Sequence, residues 1–142
     1  MPQIREAKLH DSEVINRLSE NLGYEFISQE DANRNIGEII DSENQKLWLS
    51  DEDNQVVGWI HIFKANRVAS RPFCEIGGLV VSSEHRRKGI GSGLVKHAIE
   101  WSKLHGLPLR VRSNTKRNNT IEFYQSQGFI LKKSQNVLEI SL

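Results

Sequence analysis

"SSEHRRKGIGSGLVKHAIEW", residues 82–101, runs three basic side chains, Arg86, Arg87 and Lys88, straight into Gly89, Gly91 and Gly93. An amphipathic stretch follows with no breaker in it. A glycine inside a helix lowers stability relative to alanine, so three of them at a helix start ask for an explanation. Such a start leaves about four backbone N–H groups without intrahelical partners. It also carries the positive end of the helix dipole. Together these make an anion site. Glycines let a phosphate approach the amides with no Cβ in the way, and the basic run adds diffuse positive charge. A pyrophosphate fits this description.

Two phosphate motifs can be compared directly. The P-loop pattern G-x-x-x-x-G-K-[ST] is absent. The dinucleotide fingerprint G-x-G-x-x-G is not matched either, because the spacing here is G-x-G-x-G. What remains is R-x-x-G-x-G, from Arg86 to Gly91. Taken alone, it also reads as a solvated basic surface loop.

Outward from this turn, the chain alternates strands and helices. "FCEIGGLVVS" is the most apolar strand and leads into the turn. Gly77 and Gly78 inside it predict a bulge or a close backbone approach. The helix after the turn takes Ile90, Leu94, Ile99 and Leu104 as its apolar face, widened by Val95, Ala98 and Trp101, with Gly106 as its stop. Upstream, residues 3–7 read as a strand, and Asp11 or Ser12 as the cap of a helix carrying Val14, Ile15, Leu18 and Leu22 that Gly23 ends. A second helix is capped at Ser28 and carries Ile36, Ile39 and Ile40. "KLWLSD", the tight turn "EDNQ" and "VVGWIHIFK" make a hairpin. Downstream, "LPLRVRS" is a strand and "NTIEFYQSQGF" a short helix ended by Gly128. "FILKKS" and "VLEISL" read as closing strands. The order β-α-α-β-β-β-α-β-α-β(-β) is one mixed α/β domain over residues 1–142.

The chain has 142 residues, enough for one domain with a core. Its net charge is only +1, which disfavours bulk nucleic-acid binding. Its one cysteine, Cys74, excludes an internal disulfide and a Cys-rich metal site. The five histidines are scattered without zinc-ligand spacing, so no metal is expected. The N-terminus "MPQIREAKLHDSE" has no signal-like apolar segment. No apolar run approaches the ~20 residues of a membrane span. The expected location is the cytoplasm.

With its flanks, the glycine-basic turn resembles the GNAT superfamily of N-acetyltransferases. That superfamily's hallmark is an apolar strand, then [QR]-x-x-G-x-[GA], then a long helix. Here it reads "EIGGLVVSSEHRRKGIGSGLVKHAIEW". A second hallmark, strand, polar turn, helix, then aromatic-Tyr and Gly-Phe, is matched by "LRVRSNTKRNNTIEFYQSQGF". The resemblance covers essentially the whole chain. It implies a single, mostly antiparallel sheet, splayed at a central bulge and flanked by about four helices.

The resemblance also implies a cosubstrate, acetyl-CoA, and roles for particular residues. The amides of Arg87, Lys88, Gly89, Ile90, Gly91 and Ser92 would bind the pyrophosphate, with Arg86 beside them. The pantetheine arm would lie against the backbone of Leu79, Val80 and Val81, in a cleft that Gly77 and Gly78 open. Tyr124 matches the tyrosine that protonates the departing thiolate; the alternative is a core aromatic beside Phe123. Glu75 matches the glutamate that some members use as general base; the alternative is an outward carboxylate paired with an arginine. The usual family asparagine, seven residues before the tyrosine, is replaced by Arg117. Asn114, Arg117 or Asn118 then takes its part. Cys74 reads as a buried small residue on the opposite face from Glu75, and His85 as solvated.

The function implied is transfer of acetyl from acetyl-CoA to a primary amine, on a small molecule or a protein, by direct attack. Glu25, Glu30 and Asp31 are candidates for attracting a cationic amine. The rival reading is a non-catalytic acyl-CoA-binding sensor or partner domain. A homodimer through "VLEISL" is expected, since an apolar edge strand invites pairing.

Overall fold

The computed structural model describes residues 2–21, 24–114 and 118–142. The chain divides into two compact units, Met1–Val111 and Arg112–Leu142. Leu22, Gly23 and Arg117 lie outside the described residues, as does the side chain of Asn118.

The first unit is built on a five-stranded sheet of β1 (Gln3–Glu6), β2 (Gln45–Glu52), β3 (Gln55–Ala65), β4 (Phe73–Val81) and β5 (Leu109–Val111), in that spatial order. The first four strands are antiparallel, and β5 runs parallel to β4. The β2–β3 hairpin follows from its turn. Asp53 and Asn54 take φ values of 51° and 66°, the left-handed pair that matches strand twist in a two-residue hairpin. Asp and Asn tolerate that region better than most residues.

Three helices cover the two faces: α1 (Ser12–Asn21), α2 (Gln29–Asp41) and α3 (Ile90–Leu104). On one face Ala7, Leu47, Leu49, Trp59 and Val80 form a core with Ile15 of α1 and Ile36 of α2. The opposite face packs on α3, where Trp48 meets the His97 ring at 5.5 Å. Strand periodicity of two makes this division possible. Ser28 caps α2 as the sequence predicts, its side chain accepting from the Asp31 amide at 3.1 Å. At the entry to α1, Asp11 closes a single 3-10 turn (Leu9–Asp11) rather than capping the helix directly. Its carboxylate accepts from the Lys8 amide at 2.8 Å and from both terminal nitrogens of Arg5 at 2.9 Å.

The stripe of α3 differs in detail from the sequence reading. Ile90, Leu94, Val95, Ala98, Trp101 and Ser102 are buried, whereas Leu104 is exposed. Leu104 sits in the last turn, to one side of the stripe. Gly106, at φ 66°, stops the helix.

The second unit contains α4 (Asn118–Ser126). Gly128, at φ 101°, lets the chain turn back so that the Phe129 amide donates to the Tyr124 carbonyl at 3.0 Å. The Tyr124 ring lies 5.1 Å from Phe123 and 5.3 Å from Phe129, edge-on to both. The expected closing strands "FILKKS" and "VLEISL" are not formed, and Ile130, Leu131, Val137, Leu138, Ile140 and Leu142 are exposed. Alternation supplies the face of a strand but not its ladder.

Candidate active site

The site is built where β4 leaves its parallel neighbour. The β4–β5 ladder pairs Cys74, Glu75 and Ile76 with Leu109, Arg110 and Val111, and ends there. Beyond it, Leu79, Val80 and Val81 remain paired with Ile60, Trp59 and Gly58 of β3. The predicted bulge falls at this point. His61 pairs with Gly78 and Ile62 with Ile76, so Gly77 is the extra residue.

The glycine pair also answers to close approach. A Cβ on Gly77 would stand 2.5 Å from His61 Nδ1, and one on Gly78 would stand 2.7 Å from the Trp59 ring. Two aromatic side chains of β3 therefore lie directly on the bare backbone of β4. Only glycine permits this at either position.

After β4 the Ser82 amide donates to the Val57 carbonyl at 2.8 Å, which anchors the turn to the sheet. Ser83–His85 forms a 3-10 turn. His85 is largely buried rather than solvated, with Nε2 3.6 Å from a carboxylate oxygen of Glu52. Arg86, Arg87 and Lys88 are exposed, as the basic run requires. Arg87 takes φ 64° and Gly89 takes φ 81°. Gly89 is the residue before α3, and no side chain caps the helix. The first intrahelical bond runs from the Gly93 amide to the Gly89 carbonyl at 3.0 Å. The amides of Ile90, Gly91 and Ser92 precede it, in the dipole's positive field. The three glycines are thus not equivalent. Gly89 serves conformation, while a Cβ on Gly93 would meet only Ile4, at an ordinary 3.6 Å.

The face of the sheet toward α1 and α2 carries the polar chemistry. Glu75 is half-buried and pairs with Phe63 across the strands, so both side chains stand on this face. His61 lies 5.6 Å from the Phe63 ring. Its Nε2 donates to the Gln45 side-chain oxygen at 2.8 Å. Burial pushes the His61 imidazole below the usual histidine range. Trp59 donates from its indole to Ser19 at 3.0 Å, and the Tyr24 ring lies 6.0 Å from it. The sequence reading missed His61 and Gln45. The available signal was the run Trp59, His61, Phe63 at every second place of one strand.

Other candidates fall elsewhere. Cys74 is fully buried on the α3 face, and burial pushes its thiol up, which keeps it unreactive. Glu30 and Asp31 both pair with Arg34 on the surface of α2, at 3.8 and 2.8 Å. Tyr124 and Asn118 belong to α4 in the second unit. Among the described residues no group of three or more His, Cys, Asp or Glu side chains is placed to hold a metal. Among them, too, no helix is long and apolar enough to cross a membrane.

The model of the Acetyltransferase (GNAT) family matches residues 12–129. A rat protein, N-acetyltransferase family 8 member 3 of Rattus norvegicus, is 29% identical over 85 residues, 58% of this chain and 37% of its own length. The chain thus matches little more than a third of that relative. Three solved structures superpose along the chain. A transcriptional regulator from Bacillus halodurans C-125 has a TM-score of 0.83 and 25% identity, with 100% of both chains covered. The aminoglycoside antibiotic 6'-N-acetyltransferase AAC(6')-Ih from Acinetobacter baumannii has a TM-score of 0.83 and 16% identity, covering 100% of this chain and 99% of that one. The enzyme AAC(6')-Iy, bound to the bisubstrate analogue CoA-S-monomethyl-acetylneamine, has a TM-score of 0.87 and 15% identity, with coverage of 100% and 99%.

Proposed function

Since this chain belongs to the GNAT family of acetyltransferases, we propose that it transfers acetyl from acetyl-CoA to a primary amine by direct attack, with no acyl-enzyme. One observation carries the reading. The uncapped start of α3, behind left-handed Gly89, stands at the end of β4 just past the place where β5 departs.

In this reading the amides of residues 87–92 hold the pyrophosphate, and Arg86, Arg87 and Lys88 attract it. The pantetheine arm follows the backbone of Leu79, Val80 and Val81. Arg117 and Asn118 contact CoA, and Tyr124 protonates the departing thiolate. A thiol has an ordinary pKa near ~8.5, so a neutral phenol is a competent donor to the nascent thiolate. Glu75 acts on the acceptor side, as base or as anchor for an ammonium. One catalytic domain spans both units.

A small cationic amine is the acceptor class we favour. It is supported by the aromatic surface of Trp59, Phe63 and Tyr24 beside one carboxylate, since aromatic faces and carboxylates both attract ammonium groups. The aminoglycoside-acetylating neighbours point the same way. A cytoplasmic homodimer completes the proposal, resting on the exposed apolar residues Val137, Leu138, Ile140 and Leu142. Light scattering that finds a monomer at high concentration removes the dimer alone.

The test of the activity is thiol release from acetyl-CoA across a panel of amines, alongside a control without amine. Acceleration by an amine is expected. A second reading, an acyl-CoA sensor, is favoured by the Bacillus halodurans relative described as a transcriptional regulator. CoA binding with no amine-dependent release would select it.

A further inference from the structure

We propose that His61 is the proton acceptor for the attacking amine, presented through Nδ1 at the Gly77 bulge with its tautomer set by Gln45, while Glu75 holds the incoming ammonium. This rests on the acetyl-transfer reading above. With phosphates at the start of α3, the pantetheine arm runs back along β4 past Val81, Val80 and Leu79. Its thioester end then arrives at Gly78 and Gly77. The side chain lying on Gly77 is that of His61, whose Nδ1 would be 2.5 Å from a Cβ there.

The Gln45 oxygen can only accept, so Nε2 of His61 carries the proton. Neutral imidazole then has its lone pair on Nδ1, and Nδ1 makes no hydrogen bond to a described residue. The facing groups among the described residues come from three strands and the segment after α1. Gln45 and Leu47 come from β2, and Gly77, Gly78 and the Glu75 carboxylate from β4. Trp59 and Phe63 flank it on β3, and Tyr24 reaches the same surface over Trp59. Burial among these groups favours the neutral ring, which is the form that accepts a proton. Glu75 is the carboxylate among these described groups.

The step balances as follows. The ammonium nitrogen gives one proton to His61 Nδ1, and its lone pair forms the C–N bond to the acetyl carbon. The C–S bond breaks, and its electron pair leaves on sulfur. The nitrogen's second proton is lost as the amide forms, and the thiolate is protonated. His61 returns its proton to solvent.

Two measurements on the full chain test this. In nitrogen-detected NMR, His61 is expected as the Nε2–H tautomer, titrating below 6.5. An Nδ1–H tautomer overturns the proposal. In kinetics, His61→Asn is expected to lower kcat by ~10²–10⁴-fold with acetyl-CoA affinity unchanged by calorimetry. Normal turnover in that variant overturns it. Gln45→Glu keeps the acceptor and adds a charge, so the acid limb of kcat/KM should move up by about 1–3 pH units. An unmoved limb overturns it, even if His61→Asn fails to fold. Glu75→Gln should raise KM for the amine and keep the limb. If the limb vanishes there and persists in His61→Asn, Glu75 is the base, and acetyl transfer stands without this proposal. If no amine releases thiol with the unaltered chain, the acetyl-transfer reading falls first.

Discussion

A Cβ built on Gly58 would stand 2.9 Å from the carbonyl oxygen of Val80, and 3.4 Å from Ile90 and Leu94. Gly58 thus lies where β3 packs tightly against both β4 and the first turns of α3. The contact with Val80 is to backbone, which cannot swing aside. Gly58→Val should destabilise the fold by about 1–3 kcal/mol through overpacking. It should also weaken CoA binding, because it pushes the start of α3 away from the end of β4. Chemical denaturation and calorimetry on one variant check both. Full stability in Gly58→Val would show that the helix yields freely.

The phosphate assignment has a sharper probe. Gly91→Glu puts a carboxylate on the second residue of α3, ahead of its first intrahelical bond. CoA affinity should fall at least tenfold, about 1.4 kcal/mol, in a protein that still folds. Gly89→Ala tests conformation alone, since a Cβ there meets nothing within 4 Å but the residue sits at φ 81°. Its strain is about 1–2 kcal/mol. Arg86→Ala should give a smaller loss that disappears at high salt. Unchanged CoA affinity in a folded Gly91→Glu protein would refute the site.

Tyr124→Phe keeps the ring and its edge contacts to Phe123 and Phe129 while removing the hydroxyl. A fall in kcat with little change in CoA affinity is expected. The size of a general-acid contribution is ~10²–10⁴-fold. Steady-state rates and calorimetry separate this from packing. Normal turnover would leave positioning as the main source of rate.

Acid should act through Asp11. The Arg5 guanidinium and the Lys8 amide hold its carboxyl below the ordinary value of 3.8, against burial, which raises it. A depressed native value means that the pair's stabilisation is complete above the unfolded value. It is lost as pH falls through the native one. Thermal unfolding across pH 2–6 (a window of roughly that width) should show this loss, and Asp11→Asn should remove it. Asp11→Ala should cost about 1–3 kcal/mol at neutral pH, since it strands the Lys8 amide and removes the acceptor of both terminal nitrogens of Arg5. Parallel acid curves for the unaltered chain and Asp11→Asn would exclude the pair as the cause.

Cys74 should resist thiol reagents in the native state and react only on unfolding, because it is fully buried and its thiol is pushed up. Cys74→Ala should retain acetyl transfer. Loss of activity in a folded Cys74→Ala protein would reopen a covalent route.

What the sequence made legible was local. Ser28 capping α2, the Asp53–Asn54 turn and the bulge at Gly77 each follow from residue chemistry over a few positions. His61 with Gln45 was invisible because residues 16 apart meet only once the hairpin register is set. Arg5 with Asp51, 46 apart, was hidden for the same reason. The final strands fail differently. Their alternation is real, but the ladder a strand needs is a property of its neighbours, not of its own residues.

The left-handed residues Arg87 and Gly89 have a consequence for how the turn can change over time. In the proposed phosphate reading, a grip made of main-chain amides would store its specificity in two torsion angles, at Arg87 and Gly89, rather than in side-chain identity. Exposed Arg86 and Lys88 are therefore open to substitution, and such changes would retune affinity and salt response while leaving the ligand's stereochemistry alone. Gly89 has no such latitude. In that reading, the turn tolerates change at its charges and is brittle at two glycines, Gly89 for its backbone conformation and Gly91 for access to the amides.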